Sequence, residues 1–264
     1  MDGGSGNDTI WGGGGNDTII GGSGADQLHG EDGTGDTLSY ETDTTGVTVN
    51  LATGTASGGD ATGDTFDTFE NLTGGSGNDT LTGTSGNNVL TGNAGNDTIY
   101  SGGGDDTIYG GDGNDSITMG TASGDGGTAS GGAGDDTFYI NENQFIEYGA
   151  DAIDGGTGED IVHVTSDGGV SESAMVNALT NIETIDVRDL NVNASLSLAG
   201  NQVQAMTDSD NILTILSNSG DTVLGVAGAG EYMSSNTVGS TTTYTYFDDA
   251  GMTNQIAELI VQVA

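Results

Sequence analysis

The chain has 264 residues, with 51 glycines, no proline and no cysteine, and its 40 acidic side chains face a single basic one for a formal net charge of −39. Such a polyanion repels nucleic acid and anionic lipid and attracts cations, while the lack of cysteine excludes disulfides and thiolate metal sites. The opening MDGGSGNDTI has neither a basic nor an apolar stretch, and no run is long enough to span a bilayer, so no membrane span is expected.

The first predicted element is an array. Residues 3–11, 12–20 and 21–29 read GGSGNDTIW, GGGGNDTII and GGSGADQLH, a nonapeptide G-G-x-G-x-D-x-U-x in which U is large and apolar. Gly3 opens a complete unit, so the chain is expected to continue upstream of Met1. The first six residues of a unit turn, because glycine supports positive φ and close backbone approach and Asn tolerates the left-handed region. The three after the Asp extend, with U inward and its neighbours outward. One such unit cannot bury its apolar face alone, so neighbours must stack, two units making a coil of eighteen residues with turns on opposite edges. Residues 30–38, GEDGTGDTL, carry one extra residue and set Asp36 one place late.

Between the arrays, residues 46–75 alternate at Val47, Val49 and Leu51, the pattern of a strand with one buried face. This stretch is expected to continue the solenoid as wider coils. The second array reads GGSGNDTLT (74–82), GTSGNNVLT (83–91), GNAGNDTIY (92–100), SGGGDDTIY (101–109) and GGDGNDSIT (110–118). Its period puts Asp79, Asp97 and Asp115 in one column of turns and Asn88 and Asp106 in the other. An insertion, MGTASGDGGTAS (119–130), breaks the spacing, which resumes at GGAGDDTFY (131–139) and last appears at GGTGEDIVH (155–163).

After about residue 164 glycine thins out. A short helix is predicted at Ser173–Leu179, and strands at Ile182–Val187, Leu196–Leu198, Ile212–Leu216, Thr222–Val226, Thr243–Phe247 and Leu259–Val263. A solenoid end needs a cap over its apolar cross-section and edge strand, and this region is the candidate.

The stacked carboxylates point to a metal. At a coil spacing of about 4.8 Å, neighbouring charges repel by roughly 3 kcal/mol at an effective dielectric near 20, and one buried Ile or Leu per nine ordered residues is a small return. The metal-free arrays are therefore expected to be unfolded. A hard divalent ion removes the repulsion, and an oxygen-only shell of carboxylates and turn carbonyls suits Ca²⁺ better than Mg²⁺, which holds its waters. The candidate metal residues are Asp8, Asp17, Asp26, Asp36, Asp79, Asn88, Asp97, Asp106, Asp115, Asp136 and Asp160, with the turn glycines Gly3, Gly12, Gly21, Gly74, Gly83, Gly92 and Gly110. Asn88 lacks a charge and is expected to bind more weakly. Sites between turns eighteen residues apart lead to an expectation of about five to eight ions with affinities of about 10⁻⁴–10⁻³ M.

Other motifs have simpler readings. Asn7, Asn16, Asn78 and Asn96 fit a glycosylation acceptor, but the repeat already demands Asn-Asp-Thr. No lysine exists for a phosphate loop, and no HExxH or Ser-His-Asp spacing is present. His29 and His163, at outward places after U, are read as surface residues, and Arg188, between Asp186 and Asp189, as a charge-pairing residue. The threonines following Asp reflect β-propensity rather than an ice-binding face, because the next outward place holds Trp11, Ile20, His29, Tyr100 and Tyr109. These side chains are available to pack on a neighbouring segment or chain.

The nonapeptides resemble the RTX (repeats-in-toxin) calcium-binding repeats over residues 3–38 and 74–162. GVTVNLATG and ENLTG look like stretches that interrupt RTX arrays in large secreted bacterial proteins, and NIETIDV…LSLAG…NILTI…GDTV resembles C-terminal regions of RTX adhesins. The resemblance implies an all-β fold, a parallel β-roll with a C-terminal β-rich cap, arranged as a first array (1–39), a strand-rich insertion continuing the solenoid (40–73), a second array (74–163) and a cap region (164–264). It also implies a type I secretion exporter as partner and an uncleaved signal near the C-terminus, where AELIVQVA fits. The expected function is a non-enzymatic extracellular module of an adhesin or surface-layer-like protein that folds on Ca²⁺ after export. The alternative is the export and folding tail of a secreted protease, lipase or epimerase. Self-association and a cell-surface partner are further expectations.

Overall fold

The computed structural model describes residues 1–120, 126–140, 152–165, 178–188, 195–198, 200–207, 211–219, 222–225, 227, 231–247 and 254–263. Each nonapeptide contributes one short strand, and consecutive strands alternate between two parallel sheets, as expected for a β-roll. One sheet holds, in spatial order, β2 (Thr18–Ile19), β4 (Thr37–Ser39), β8 (Asn71–Thr73), β10 (Val89–Ala94), β12 (Asp105–Asp112), β14 (Gly126–Ala133), β16 (Ala152–Thr157) and β18 (Leu179–Thr180). The facing side begins with a three-stranded sheet of β1 (Thr9–Trp11), β3 (Gln27–His29) and β7 (Thr65–Asp67). It resumes with β5 (Thr48–Asn50), β9 (Thr80–Thr82), β11 (Thr98–Tyr100), β13 (Ser116–Thr118), β15 (Thr137–Ile140), β17 (Ile161–Val164) and β19 (Thr184–Asp186).

Parallel register places every U residue over the U of the coil beside it. Leu81, Ile99, Ile117, Phe138, Val162 and Ile185 form one such column, and Leu72, Leu90, Ile108, Ala129 and Ile153 form the other. All are buried, and the two columns meet as one core. Burying each of the large members is worth about 1.5–3 kcal/mol, and none has a core without its neighbours.

The segment between the arrays completes a coil rather than leaving the roll. After β4 the chain forms a hairpin, β5 with β6 (Thr55–Ser57), and β5 joins β9. It then returns to lay β7 on β3 and β8 on β4. The insertion at 119–130 likewise supplies sheet: Thr128, Ala129 and Ser130 lie opposite Thr107, Ile108 and Tyr109. Ala129 takes the inward place there, which is why no apolar residue signalled the strand.

The second sheet runs on past residue 164 through β19 to β21 (Ile212–Ser217) and β25 (Gln255–Val263), in parallel. Two antiparallel strands, β24 (Thr241–Phe247) and β23 (Tyr232–Val238), follow on its edge. β20 (Ser195–Leu198) and β22 (Thr222–Gly225) pair as a separate two-stranded sheet, with Val223 in the core. Each predicted strand of this region has a counterpart, with Val226 of the predicted Thr222–Val226 outside the described residues, and β23 and a helix, α1 (Gly200–Met206), were not anticipated. The helix buries Val203 and Met206 against the core. Of the helix expected at Ser173–Leu179, residues 173–177 lie outside the described residues, and Leu179 begins β18.

Candidate metal centre

The aspartates of the repeat stand where each turn enters its strand, and neighbouring coils bind them to one another. In the longest column the backbone N–H of Asp79 donates to Oδ1 of Asp97 at 2.7 Å, Asp97 to Asp115 at 2.8 Å, Asp115 to Asp136 at 2.8 Å and Asp136 to Asp160 at 2.7 Å. The same bond links Asp8 to Asp26 (2.8 Å), Asp17 to Asp36 (2.7 Å) and Asn88 to Asp106 (2.8 Å). One carboxylate oxygen of each acceptor is thus consumed by the fold.

The other oxygen is left over. Oδ2 of Asp8, Asp17, Asp26, Asp36, Asp97, Asp115, Asp136 and Asp160 is buried without a hydrogen-bond partner. A buried carboxylate oxygen with nothing to accept is costly, and the cost calls for a cation or a proton. Burial, reinforced by the charges of Asp115 and Asp79, pushes the Asp97 carboxyl up to about 7 against the opposing backbone hydrogen bond from Asp79. Burial likewise raises Asp115 to about 6 and both Asp136 and Asp160 to about 7.

The glycine that opens all but one of the units, 101–109 starting with Ser101, packs against this oxygen. A Cβ on Gly92 would stand 2.2 Å from Oδ2 of Asp97 and 2.6 Å from the carbonyl oxygen of Gly110, and one on Gly110 would stand 2.3 Å from Oδ2 of Asp115. Gly3, Gly12, Gly21 and Gly74 meet their own aspartates in the same way, and Gly83 meets Asn88. Carboxylate oxygen and turn carbonyl therefore converge on one small space beside Gly92 and Gly110.

Three positions depart from this arrangement. Asp79 has both oxygens engaged, accepting from the N–H of Val47 and of Gly75 at 2.7 Å each. Asn88 is satisfied by protein alone: its Oδ1 accepts from the N–H of Thr84 and its Nδ2 donates to the carbonyl of Glu70, both at 2.6 Å. Asp64, which the spacing did not single out, ends the Asp8–Asp26 column. Its Oδ1 accepts the Asp26 N–H at 2.9 Å, and its Oδ2 accepts from the Tyr40 hydroxyl at 3.0 Å. The signal was the Asp-Thr-Phe at 64–66, obscured by the irregular turn before it.

His29 and His163 do not gather into a metal cluster but join ladders on the outer face. His29 stacks on Trp11 at 5.7 Å and pairs with Asp67 at 2.9 Å; His163 stacks on Tyr139 at 5.0 Å and pairs with Asp186 at 3.1 Å. Arg188 grips Asp186 with two bonds, Nε to Oδ1 at 2.9 Å and Nη2 to Oδ2 at 2.6 Å. Burial alone would raise the Asp186 carboxyl, but Arg188 holds it below its ordinary range.

The donor set fits calcium. Among the described residues no three acidic or imidazole side chains converge on a point, so an ion must draw most of its shell from backbone carbonyls beside one or two carboxylates. Ca²⁺ accepts six to eight oxygens in a flexible geometry and tolerates such a shell. Among curated proteins no relative matches this chain. The family model for the RTX calcium-binding nonapeptide repeat (4 copies) matches residues 2–35, 64–87, 73–108, 82–117 and 147–166. Those matches take in every aspartate with a bare oxygen except Asp36 and Asp136, and the matched segments are RTX calcium-binding nonapeptide repeats that hold several calcium ions on a parallel β-roll.

Proposed function

We propose that this chain is a folding module switched by calcium, serving a type I secreted adhesin or surface protein. The observation that carries the reading is the row of buried, unpartnered Oδ2 atoms on Asp8, Asp17, Asp26, Asp36, Asp97, Asp115, Asp136 and Asp160, each beside a glycine and all but that of Asp26 beside a turn carbonyl as well. Those aspartates, with Asp106 and the carbonyls of the opening glycines, would hold the ions and supply what the fold leaves unsatisfied. At the low calcium of a cytosol the charges oppose coiling, and the chain stays extended for an exporter. Millimolar calcium outside the cell then neutralises the columns and drives folding, because the binding free energy is folding free energy. The module's role is structural.

The test is a calcium titration of the full chain followed by far-ultraviolet circular dichroism. Strand signal is expected to appear cooperatively below about 10⁻³ M calcium and to vanish on chelation. A spectrum already rich in strand in excess chelator at neutral pH sinks the switch. Secretion is tested by co-expressing the chain with a type I exporter; retention of the chain in the cells counts against export.

A further inference from the structure

The coils adjoining Asp36 and Asp160 lack the nonapeptide turn, yet each repeats the geometry of one. The residues involved are Thr68-Phe69-Glu70-Asn71 and Asn181-Ile182-Glu183-Thr184. Oε2 of Glu70 accepts the N–H of Asp36 at 3.0 Å, and Oε2 of Glu183 accepts the N–H of Asp160 at 2.9 Å, the bond that an aspartate of the next coil makes elsewhere. In both, two successive N–H groups fork onto one carbonyl: Glu70 and Asn71 onto Asp36 at 3.1 and 2.9 Å, Glu183 and Thr184 onto Asp160 at 3.2 and 3.0 Å. In both, a residue other than glycine adopts positive φ two places before the Glu, Thr68 at 61° and Asn181 at 51°.

That bend brings a carbonyl to the place where a glycine carbonyl stands in a regular coil. A Cβ on Gly30 would lie 2.3 Å from the Thr68 oxygen, and one on Gly155 would lie 1.9 Å from that of Asn181. The same probes lie 2.9 Å from Oδ2 of Asp36 and 2.4 Å from Oδ2 of Asp160. Asp36 is 0% and Asp160 1% exposed, and both Oδ2 atoms lack a hydrogen-bond partner. In a regular turn the carbonyl and the carboxylate come from residues five apart, as in Gly110 and Asp115; here they come from residues two apart. The extra methylene of Glu makes up the reach that the shorter corner removes.

We propose that Glu70 and Glu183 are metal ligands, each completing with Asp36 or Asp160 a divalent-cation site that the nonapeptide pattern does not contain. This rests on the reading that the aspartate columns hold calcium. The two short corners then extend the ion columns past the ends of the arrays, across the break at 40–67 and into the C-terminal region.

Glu70→Gln, Glu183→Gln and the double variant keep an amide oxygen for the N–H bond while removing the charge. Calcium bound per full chain is counted by native mass spectrometry and by isothermal titration, with Glu41→Gln, at an exposed turn, as the control. The expected result is one ion fewer in each single variant, two fewer in the double and the full number in the control. An unchanged count with an unshifted midpoint overturns the proposal. Should a variant fail to fold at saturating calcium, the unaltered chain decides through anomalous scattering from calcium-grown crystals. A peak about 2.3–2.6 Å from a carboxylate oxygen of each Glu is expected. Peaks along the aspartate columns but none at these two refute the proposal and leave the underlying reading standing, whereas a chain that binds no calcium refutes that reading itself.

Discussion

Replacing Asp97 by Asn is predicted to have opposite effects on the two forms of the protein. Asp97 is 1% exposed, and in the absence of metal burial raises its carboxyl from 3.8 to about 7. A shift of that size corresponds to about 4 kcal/mol. The folded value is the higher one, so the group favours the metal-free fold while protonated. That contribution is complete below about pH 4 and lost as the pH climbs through 7. At pH 8 the ionised carboxylate therefore opposes metal-free folding by about 4 kcal/mol, and the amide does not. An amide also keeps an oxygen for the Asp79 N–H, now bonded at 2.7 Å, and Asn88 shows how its nitrogen finds a turn carbonyl. With chelator at pH 8, folding the variant is expected to need less of a stabilising osmolyte than folding the parent, and at pH 4 the two should coincide. With calcium the order reverses: one lost ligand charge is expected to raise the midpoint about tenfold, or about 1.4 kcal/mol. An unchanged calcium midpoint, or a variant less foldable than the parent in chelator at pH 8, refutes the reasoning.

Gly92→Ala places a methyl 2.2 Å from Oδ2 of Asp97 and is expected to lose about 1–3 kcal/mol of stability in saturating calcium. Gly86→Ala, whose nearest neighbour would be the Thr84 hydroxyl at 3.9 Å, is expected to fall within about 0.5 kcal/mol of the parent; urea unfolding separates the two. Lowering the pH from 8 to 5 is expected to raise the calcium midpoint, because protons compete for Asp97, Asp136 and Asp160 as the pH falls through about 7; a pH-independent titration contradicts this. Arg188→Ala strips two bonds from Asp186, which is 5% exposed, and is expected to cost roughly 1–3 kcal/mol. Its thermal midpoint in calcium should fall by several degrees while the calcium midpoint holds.

The nonapeptide phase alone determined a stacked solenoid, its two alternating edges and the column from Asp79 to Asp115, because a strict short period leaves stacked units few ways to bury their U residues. Composition determined the cation, since 40 acids against one base admit little else. Tertiary structure decided which oxygens need that cation. The fate of Oδ2 in one unit depends on the coil laid beside it: Tyr40 caps Asp64, Gly75 and Val47 absorb Asp79, and the Asp97 Oδ2 is left bare. Nor does the repeat announce Ala129 as a core residue or Glu70 and Glu183 as continuations of the columns. Each takes its place from strand register and from a bend at Thr68 or Asn181, and these are set by neighbours dozens of residues away in the chain.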